Sequence, residues 1–265
     1  MDLPLGRQVS YKDTLDPSLL FPIERVQARV KNSVPSPIPF DGIDIWRAFE
    51  LSWLAPTGVP VVATGSISYS AHSPNIVESK SLKLFLNSLN NTEFDSATAV
   101  REVITSELTR CVGATVTVEV TPPDAWSKEQ LSVPSGDCID DLPLACLTDG
   151  WFVSQEQSSE VVYTNLLRSL CPVTGQPDWG TMVVSYTGRK LNRARLLASI
   201  VEHRNFQGFH EECCEKYFIT LLEQLKPTSL TVGCFYTRRG GIDINPIRWL
   251  IGDESKVPYS RLHRQ

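Results

Sequence analysis

One order of apolar periodicities occurs twice along this chain of 265 residues, and it restricts the fold to few architectures. Phe49, Leu51 and Trp53 alternate with polar or small neighbours, and Val59, Val61, Ala63 and Ile67 do much the same after a turn from Pro56 to Gly58, which predicts two hairpin-linked strands. A helix is predicted from about 77 to 90, because Leu82, Phe85, Leu86 and Leu89 fall at i, i+3, i+4 and i+7; a second helix runs through Val100, Ile104, Leu108 and Cys111. Val116, Val118 and Val120 then alternate as a strand. The second half repeats this order, with strands near 159 to 168 and 180 to 187, helices near 191 to 204 and 210 to 225, and a closing strand through Leu230, Val232, Cys234 and Tyr236. The last helix carries Cys214, Phe218, Leu221, Leu222 and Leu225 on one face.

Strands in sequence pairs with two consecutive helices between them imply antiparallel sheets with paired helices on one face, an α+β arrangement and not a doubly wound parallel sheet. The G-x-G-x-x-G run of a dinucleotide fold is absent, so a nicotinamide cofactor would need other groups for its phosphates. A connection containing Pro, Ser and Asp divides the halves, and the expected organisation is one module over 1–125, a connection over 126–144 and a second module over 145–265.

Charge and cysteine content narrow the function. Lys plus Arg number 25 against 30 Asp plus Glu, a formal charge of -5, which argues against a broad electrostatic grip on nucleic acid. Seven cysteines without a C-x-x-C pair fit reduced thiols of a cytosol better than a disulfide framework. The start Met1-Asp2-Leu3-Pro4 has neither the basic nor the apolar character of a secretory signal. Residues 51 to 77 carry no Asp, Glu, Lys or Arg, yet Pro56, Pro60 and Pro74 interrupt them, so no membrane span is expected.

Four clusters carry chemistry. Cys171 lies in the run Leu170-Cys171-Pro172-Val173-Thr174-Gly175-Gln176-Pro177-Asp178, where prolines and a glycine fix the direction of the thiol and a carboxylate follows seven residues later. That suits a nucleophile with an acid beside it; the plainer alternative is a buried structural cysteine. Glu78-Ser79-Lys80-Ser81-Leu82-Lys83 opens the first amphipathic helix, with Glu78 and Ser79 in the first turn and Lys80 and Lys83 on a more open face, which is either a ligand-binding helix end or a capped start with solvated lysines.

Phe209-His210-Glu211 opens the last helix. His210 supplies an imidazole that can give or take a proton, Glu211 can accept from the N–H groups of a purine-like ring and Phe209 can stack on it, although an exposed helix terminus would look the same. Cys213 and Cys214 beside His210 raise the question of zinc, but adjacent residues point to different helix faces and no second ligand pair accompanies them. Arg238-Arg239-Gly240-Gly241-Ile242-Asp243-Ile244-Asn245-Pro246 reads as two guanidiniums on a glycine loop at a strand end, suited to the phosphates of NADPH or simply a basic hairpin turn.

Together these residues resemble one family. Glu78-Ser79-Lys80-Ser81-Leu82-Lys83-Leu84-Phe85 is similar to the signature of the NADPH-dependent 7-cyano-7-deazaguanine reductases, which make the 7-aminomethyl-7-deazaguanine precursor of the tRNA nucleoside queuosine. The Cys171 to Asp178 loop, Phe209-His210-Glu211 and Arg238-Arg239-Gly240 match it in order, and the resemblance spans nearly the whole chain in its longer, two-module form. It implies tandem tunnelling-fold modules and a homodimer that is cytoplasmic, binds neither nucleic acid nor membrane and requires no metal.

The implied chemistry is reduction of a nitrile. Addition of the Cys171 thiolate would give a thioimide that NADPH can reduce, and loss of the thiol an imine that takes a second hydride, so two NADPH are expected per amine. By resemblance, Asp178 is the general acid and base, and His210 assists proton delivery or orientation. Glu78, Phe209 and Glu211 hold the deazaguanine, while Ser79, Lys80, Arg238, Arg239 and Gly240 contact NADPH. Three rivals remain: a nitrilase-like hydrolase using Cys171, Glu78 and Lys80, a zinc-dependent cyclohydrolase of the same fold, and a non-catalytic nucleobase-binding module.

Overall fold

Alternation and capping account for most of the elements. A computed structural model describes residues 11–126, 131–255 and 261–265; the expectations for Met1 to Pro4 and for residues 127–130 of the connection lie outside them. The described chain is α+β, with antiparallel pairing predominant. It divides into two compact units. One holds the described parts of Met1–Ala28, Ile45–Glu129 and Arg238–Asp243, and the other those of Arg29–Asp44, Gln130–Thr237 and Ile244–Gln265.

In the first unit, β1 (Pro22–Glu24) pairs antiparallel with β4 (Asn75–Val77), and β3 (Pro60–Ser70) lies between β5 (Val116–Thr121) and the later residues of β2 (Phe40–Leu54). Gly58, at φ 77°, allows the turn that joins β2 to β3. Two helices follow β4. In α2 (Ser79–Asn87) Leu82 and Phe85 are fully buried, as are Val100, Ile104 and Leu108 of α3 (Ala97–Val112). Each such side chain contributes about 1.5–3 kcal/mol relative to exposure, which is what holds short helices in place. Ser96 caps α3 by accepting from Ala99 N–H, and Gly113, at φ 72°, ends it where a Cβ would meet the Pro74 ring at 2.6 Å.

The second unit contains helix α1 (Arg25–Lys31) from Arg29 onward, and a long hairpin of β7 (Phe152–Leu170) and β8 (Pro177–Leu191). The strand order is β10 (Ile242–Leu250), β9 (Ser229–Tyr236), β8, β7 and the two-residue β6 (Asp137–Cys138), which alone runs parallel to its neighbour. The register of β7 shifts between Thr164 and Leu167, where the Asp140 carboxylate accepts from Thr164 Oγ1 at 2.6 Å and from the Asn165 backbone and side-chain N–H groups. Helices α4 (Arg193–Glu202) and α5 (His210–Leu225) bury Leu196, Leu197, Ile200, Phe218 and Leu221.

The strands depart from the expectation at three places. β2 begins at Phe40 instead of near Phe49, and its buried Asp44 is tolerated because Arg248 Nη1 donates to Asp44 Oδ1 at 2.7 Å. β7 begins at Phe152 instead of near 159, in a stretch that is largely exposed and has no apolar period to reveal it. Ile242 to Pro246 belong to β10 and not to a loop, so the glycine turn closes at Gly241; Pro246 sits inside the strand, its carbonyl accepting from Cys214 Sγ at 3.4 Å.

Helix α2 starts at Ser79, so Glu78 is its N-cap and not part of its first turn. Cys213 and Cys214 are both buried, since α5 is covered over a wide arc that includes Glu211, Glu215 and Tyr217.

Candidate functional site

The first group of candidate residues lies at the open end of the β7–β8 hairpin. Its last register pairs are Ser169 with Asp178 and Leu170 with Pro177, which leaves Cys171 to begin the turn. That turn is closed by its own backbone: Cys171 N–H donates to Gln176 O at 2.9 Å, Gly175 N–H donates to Cys171 O at 3.0 Å, and Gly175 takes φ 67°. Leu170 is also bonded to the segment before α5, donating to Phe206 O at 2.9 Å and accepting from Gly208 N–H at 3.2 Å. These bonds bring the start of α5 beside the cysteine turn, a neighbourhood that the 35 or so intervening residues do not announce in the sequence.

His210 Nε2 lies 3.4 Å from Asp178 Oδ2, and both side chains are largely buried. The imidazole is stacked on Tyr236 with ring centroids 3.7 Å apart and planes 5° from parallel. Its Nδ1 is buried with no hydrogen-bond partner among the described residues. Phe209 is the half-buried N-cap of α5 and makes no side-chain cap, while Glu211, in the first turn, is 2% exposed. Cys171 is 8% exposed. The deeper thiols differ in environment: burial pushes Cys213 up to about 12 and Cys234 well above its ordinary value, so neither is a thiolate near neutral pH.

The second group lies in the other unit. Glu78 is fully buried and caps α2, its Oε1 accepting from Lys80 N–H at 2.9 Å and its Oε2 from Ser81 N–H at 2.7 Å, with Ser79 Oγ 3.5 Å away. Burial raises its carboxyl above the ordinary value and these amides work against that shift. Oε1 already accepts from two donors, and Oε2 keeps lone-pair capacity for one more. Ser79 and Lys80 are partly exposed.

Arg238, Arg239 and Gly240 form an exposed turn closed by reciprocal backbone bonds between Arg239 and Ile242. Arg238 lies over the Phe49 ring at 4.5 Å, and Phe49 N–H donates to Gly241 O at 2.9 Å. Gly240 (φ 57°) and Gly241 (φ 77°) are glycines for two reasons: the left-handed backbone, and neighbours that crowd any side chain. A Cβ at Gly240 would stand 3.1 Å from Lys83 Nζ, and one at Gly241 would collide with Glu50. Lys83 and Glu50 pair at 3.4 Å along the same edge.

Cys171, Asp178, Phe209, His210 and Glu211 thus share one unit, and Glu78, Ser79, Lys80, Arg238, Arg239 and Gly240 the other. Among the described residues, no group of three or more His, Cys, Asp or Glu is arranged to hold a metal ion, and no helix is long and apolar enough to cross a membrane. Sequence reasoning missed Tyr236, whose place in an apolar strand reads only as core, and Glu50, whose pairing with Lys83 has no local signal.

Comparison with known proteins decides the family. A family model described as "Nitrile reductase, 7-cyano-7-deazaguanine-reductase N-term" matches residues 11–120, and one described as "QueF-like protein" matches residues 177–253. This chain belongs to the 7-cyano-7-deazaguanine reductase family. Its relatives include an NADPH-dependent 7-cyano-7-deazaguanine reductase of Desulfotalea psychrophila, 46% identical over 253 residues that cover 93% of this chain and 92% of the relative. The enzymes of the same name from Azoarcus sp. and Burkholderia thailandensis are 47% and 45% identical, over 92% of this chain and 89% and 92% of theirs. The two family matches include every reductase-like candidate residue named above except Cys171, which falls in the interval between them.

Proposed function

We propose that the protein reduces 7-cyano-7-deazaguanine to 7-aminomethyl-7-deazaguanine with two NADPH, within the route to the tRNA nucleoside queuosine. The observation that supports this reading is the contact of Asp178 with His210 at 3.4 Å, next to a turn that Cys171 begins and that Leu170 ties by backbone hydrogen bonds to the segment before His210.

The chemistry requires such a set. A nitrile carbon is a poor hydride acceptor, and addition of the Cys171 sulfur converts it to a thioimide C=N while the nitrogen takes a proton from the Asp178–His210 pair. NADPH, when bound, supplies the two hydrides. Expulsion of the Cys171 sulfur between the two reductions releases an imine, and the sulfur keeps no net change over the cycle. The nitrile gains two hydrides and two protons to become the amine.

Recognition is assigned to the remaining candidates. Glu211 and Glu78 accept from the N–H groups of the deazaguanine edge, and Phe209 packs on its face. Ser79, Lys80, Arg238, Arg239 and Gly240 hold the cofactor, and the Gly240–Gly241 turn fits that part because a phosphate needs close backbone approach and forked guanidinium donors. The architecture belongs to the same proposal: tandem tunnelling-fold modules over 1–125 and 145–265, supported by the antiparallel sheets and the paired helices after each strand pair, with a cytoplasmic homodimer expected from the family resemblance alone.

The test is direct. Protein, nitrile and NADPH are mixed and the nicotinamide absorbance followed; two equivalents consumed per amine formed is the expected result. Release of ammonia without NADPH would replace this reading with nitrile hydrolysis.

A further inference from the structure

Tyr236 ends β9 and is fully buried, and nothing in the reaction calls for a phenol at that place. Its register partner is Gly180 on β8, and two residues before Gly180 stands Asp178, itself opposite Ser169 on β7. Residues opposite one another, and residues two apart on one strand, share a sheet face, so Ser169, Asp178 and Tyr236 all point to one side. His210 also meets that side: its Nε2 is 3.4 Å from Asp178 and its ring lies flat on Tyr236 at 3.7 Å. Aromatic pairs in cores more often meet offset or edge-on, so a face-to-face contact within 5° of parallel is a constraint on orientation. The ring that imposes it is neutral, since burial holds the Tyr236 phenol protonated well above its usual range.

An imidazole is useful in proton transfer only if its two nitrogens are aimed, and at most sites a hydrogen bond at Nδ1 does the aiming. Here Nδ1 has no such partner among the described residues. We propose that Tyr236 is a positioning residue: its ring, by stacking, sets the plane of His210 so that Nε2 faces Asp178. The inference rests on the proposed reaction for its consequence but not for its geometry. The helix that carries His210 is fixed separately, because Glu215 of α5 pairs with Arg29 at 2.8 Å and with Arg248 at 3.1 Å. Without Tyr236 the ring would keep its helix and lose its orientation.

Imidazole NMR on the whole protein reads the stack without substrate. The chain has four histidines, and the His210 signals are assigned as those missing in His210→Asn. Ring-current shielding is expected to place its carbon-bound protons upfield of the other three. Tyr236→Leu should abolish that shift, lower kcat on the order of a hundredfold and displace the pH profile, with the KM for NADPH unchanged, while Tyr236→Phe restores both shift and rate.

Wild-type His210 signals without the upfield shift would overturn the proposal even if Tyr236→Leu fails to fold. So would a folded Tyr236→Leu protein with normal kcat and pH profile, or a Tyr236→Phe protein as damaged as the leucine variant, which would assign the role to the hydroxyl. Wild-type protein inert toward the nitrile with His210 still shielded would sink the reaction and leave the stack standing.

Discussion

Arg248 Nη1 lies 2.7 Å from Asp44 Oδ1, and neither side chain has exposed surface. The same guanidinium reaches Glu215 at 3.1 Å, and Glu215 in turn holds Arg29 of α1 at 2.8 Å. Two cations and two anions therefore share one buried site that ties the middle of α5 to β10, to the start of β2 and to α1.

Such a network is expensive to break from one side. Asp44→Ala leaves the Arg248 charge buried with a partner missing and is expected to cost about 3–5 kcal/mol, whereas Arg29→Ala, at a partly accessible edge, should cost about 1–2 kcal/mol. Urea unfolding followed by circular dichroism measures both. Equal and small losses would mean that water reaches the site and compensates the charges.

Covalent chemistry at Cys171 has its own signature. Cys171→Ala should abolish amine formation, and incubation of the native protein with the nitrile alone should add the mass of one nucleobase, a gain missing from the alanine variant. Asp178→Ala should slow formation of the adduct and reduce turnover by about 10² to 10⁴, the usual range for a general acid. An active alanine variant at position 171 would end the assignment of the nucleophile.

The Arg238–Gly240 turn separates cofactor from nucleobase. Because only NADPH carries phosphates, replacing Arg238 and Arg239 together by Ala should raise the KM for NADPH by about tenfold or more and leave that for the nitrile nearly unchanged. Steady-state kinetics with each substrate varied in turn supplies the comparison, and equal effects on both would move the cofactor elsewhere.

Glu212 gives a pH-dependent prediction. Burial at the start of α5 is the main cause that raises its carboxyl from 4.5 to about 7, with Glu215 adding to the rise and Lys31 opposing it. A folded-state value above the unfolded one means that the neutral acid is favoured by folding: its contribution is complete below about pH 4.5 and is lost as pH rises through 7. Glu212→Gln should therefore flatten the fall of Tm between pH 5 and 8 and leave the variant more stable than the native protein at pH 8, by at most about 3 kcal/mol. Parallel Tm curves for the two proteins would contradict this.

Legibility in the sequence followed local periodicity. Leu82, Phe85 and Leu86 marked α2, Phe218, Leu221 and Leu225 marked α5, and Val116 and Val118 marked β5, because in each case a buried face has a fixed period. Phe40–Arg47 escaped notice because its buried carboxylate Asp44 is made acceptable only by Arg248, some 200 positions away. The run Arg238 to Pro246 read as a glycine loop at a strand end, and its second half proved to be the start of β10, which the glycines before it conceal.

By itself, the amino-acid order determined the four long helices, part of most of the longer strands and the rigid turn around Cys171, since Pro, Gly and apolar spacing act within a few residues. Tertiary structure alone decided that Asp178 meets His210, that His210 lies on Tyr236 and that Gly240 and Gly241 sit against Lys83 and Glu50. Those contacts join strands and helices far apart in the chain. Their geometry is set by sheet register and helix packing, which are properties of the assembled fold and leave no periodic trace in the residues that make them.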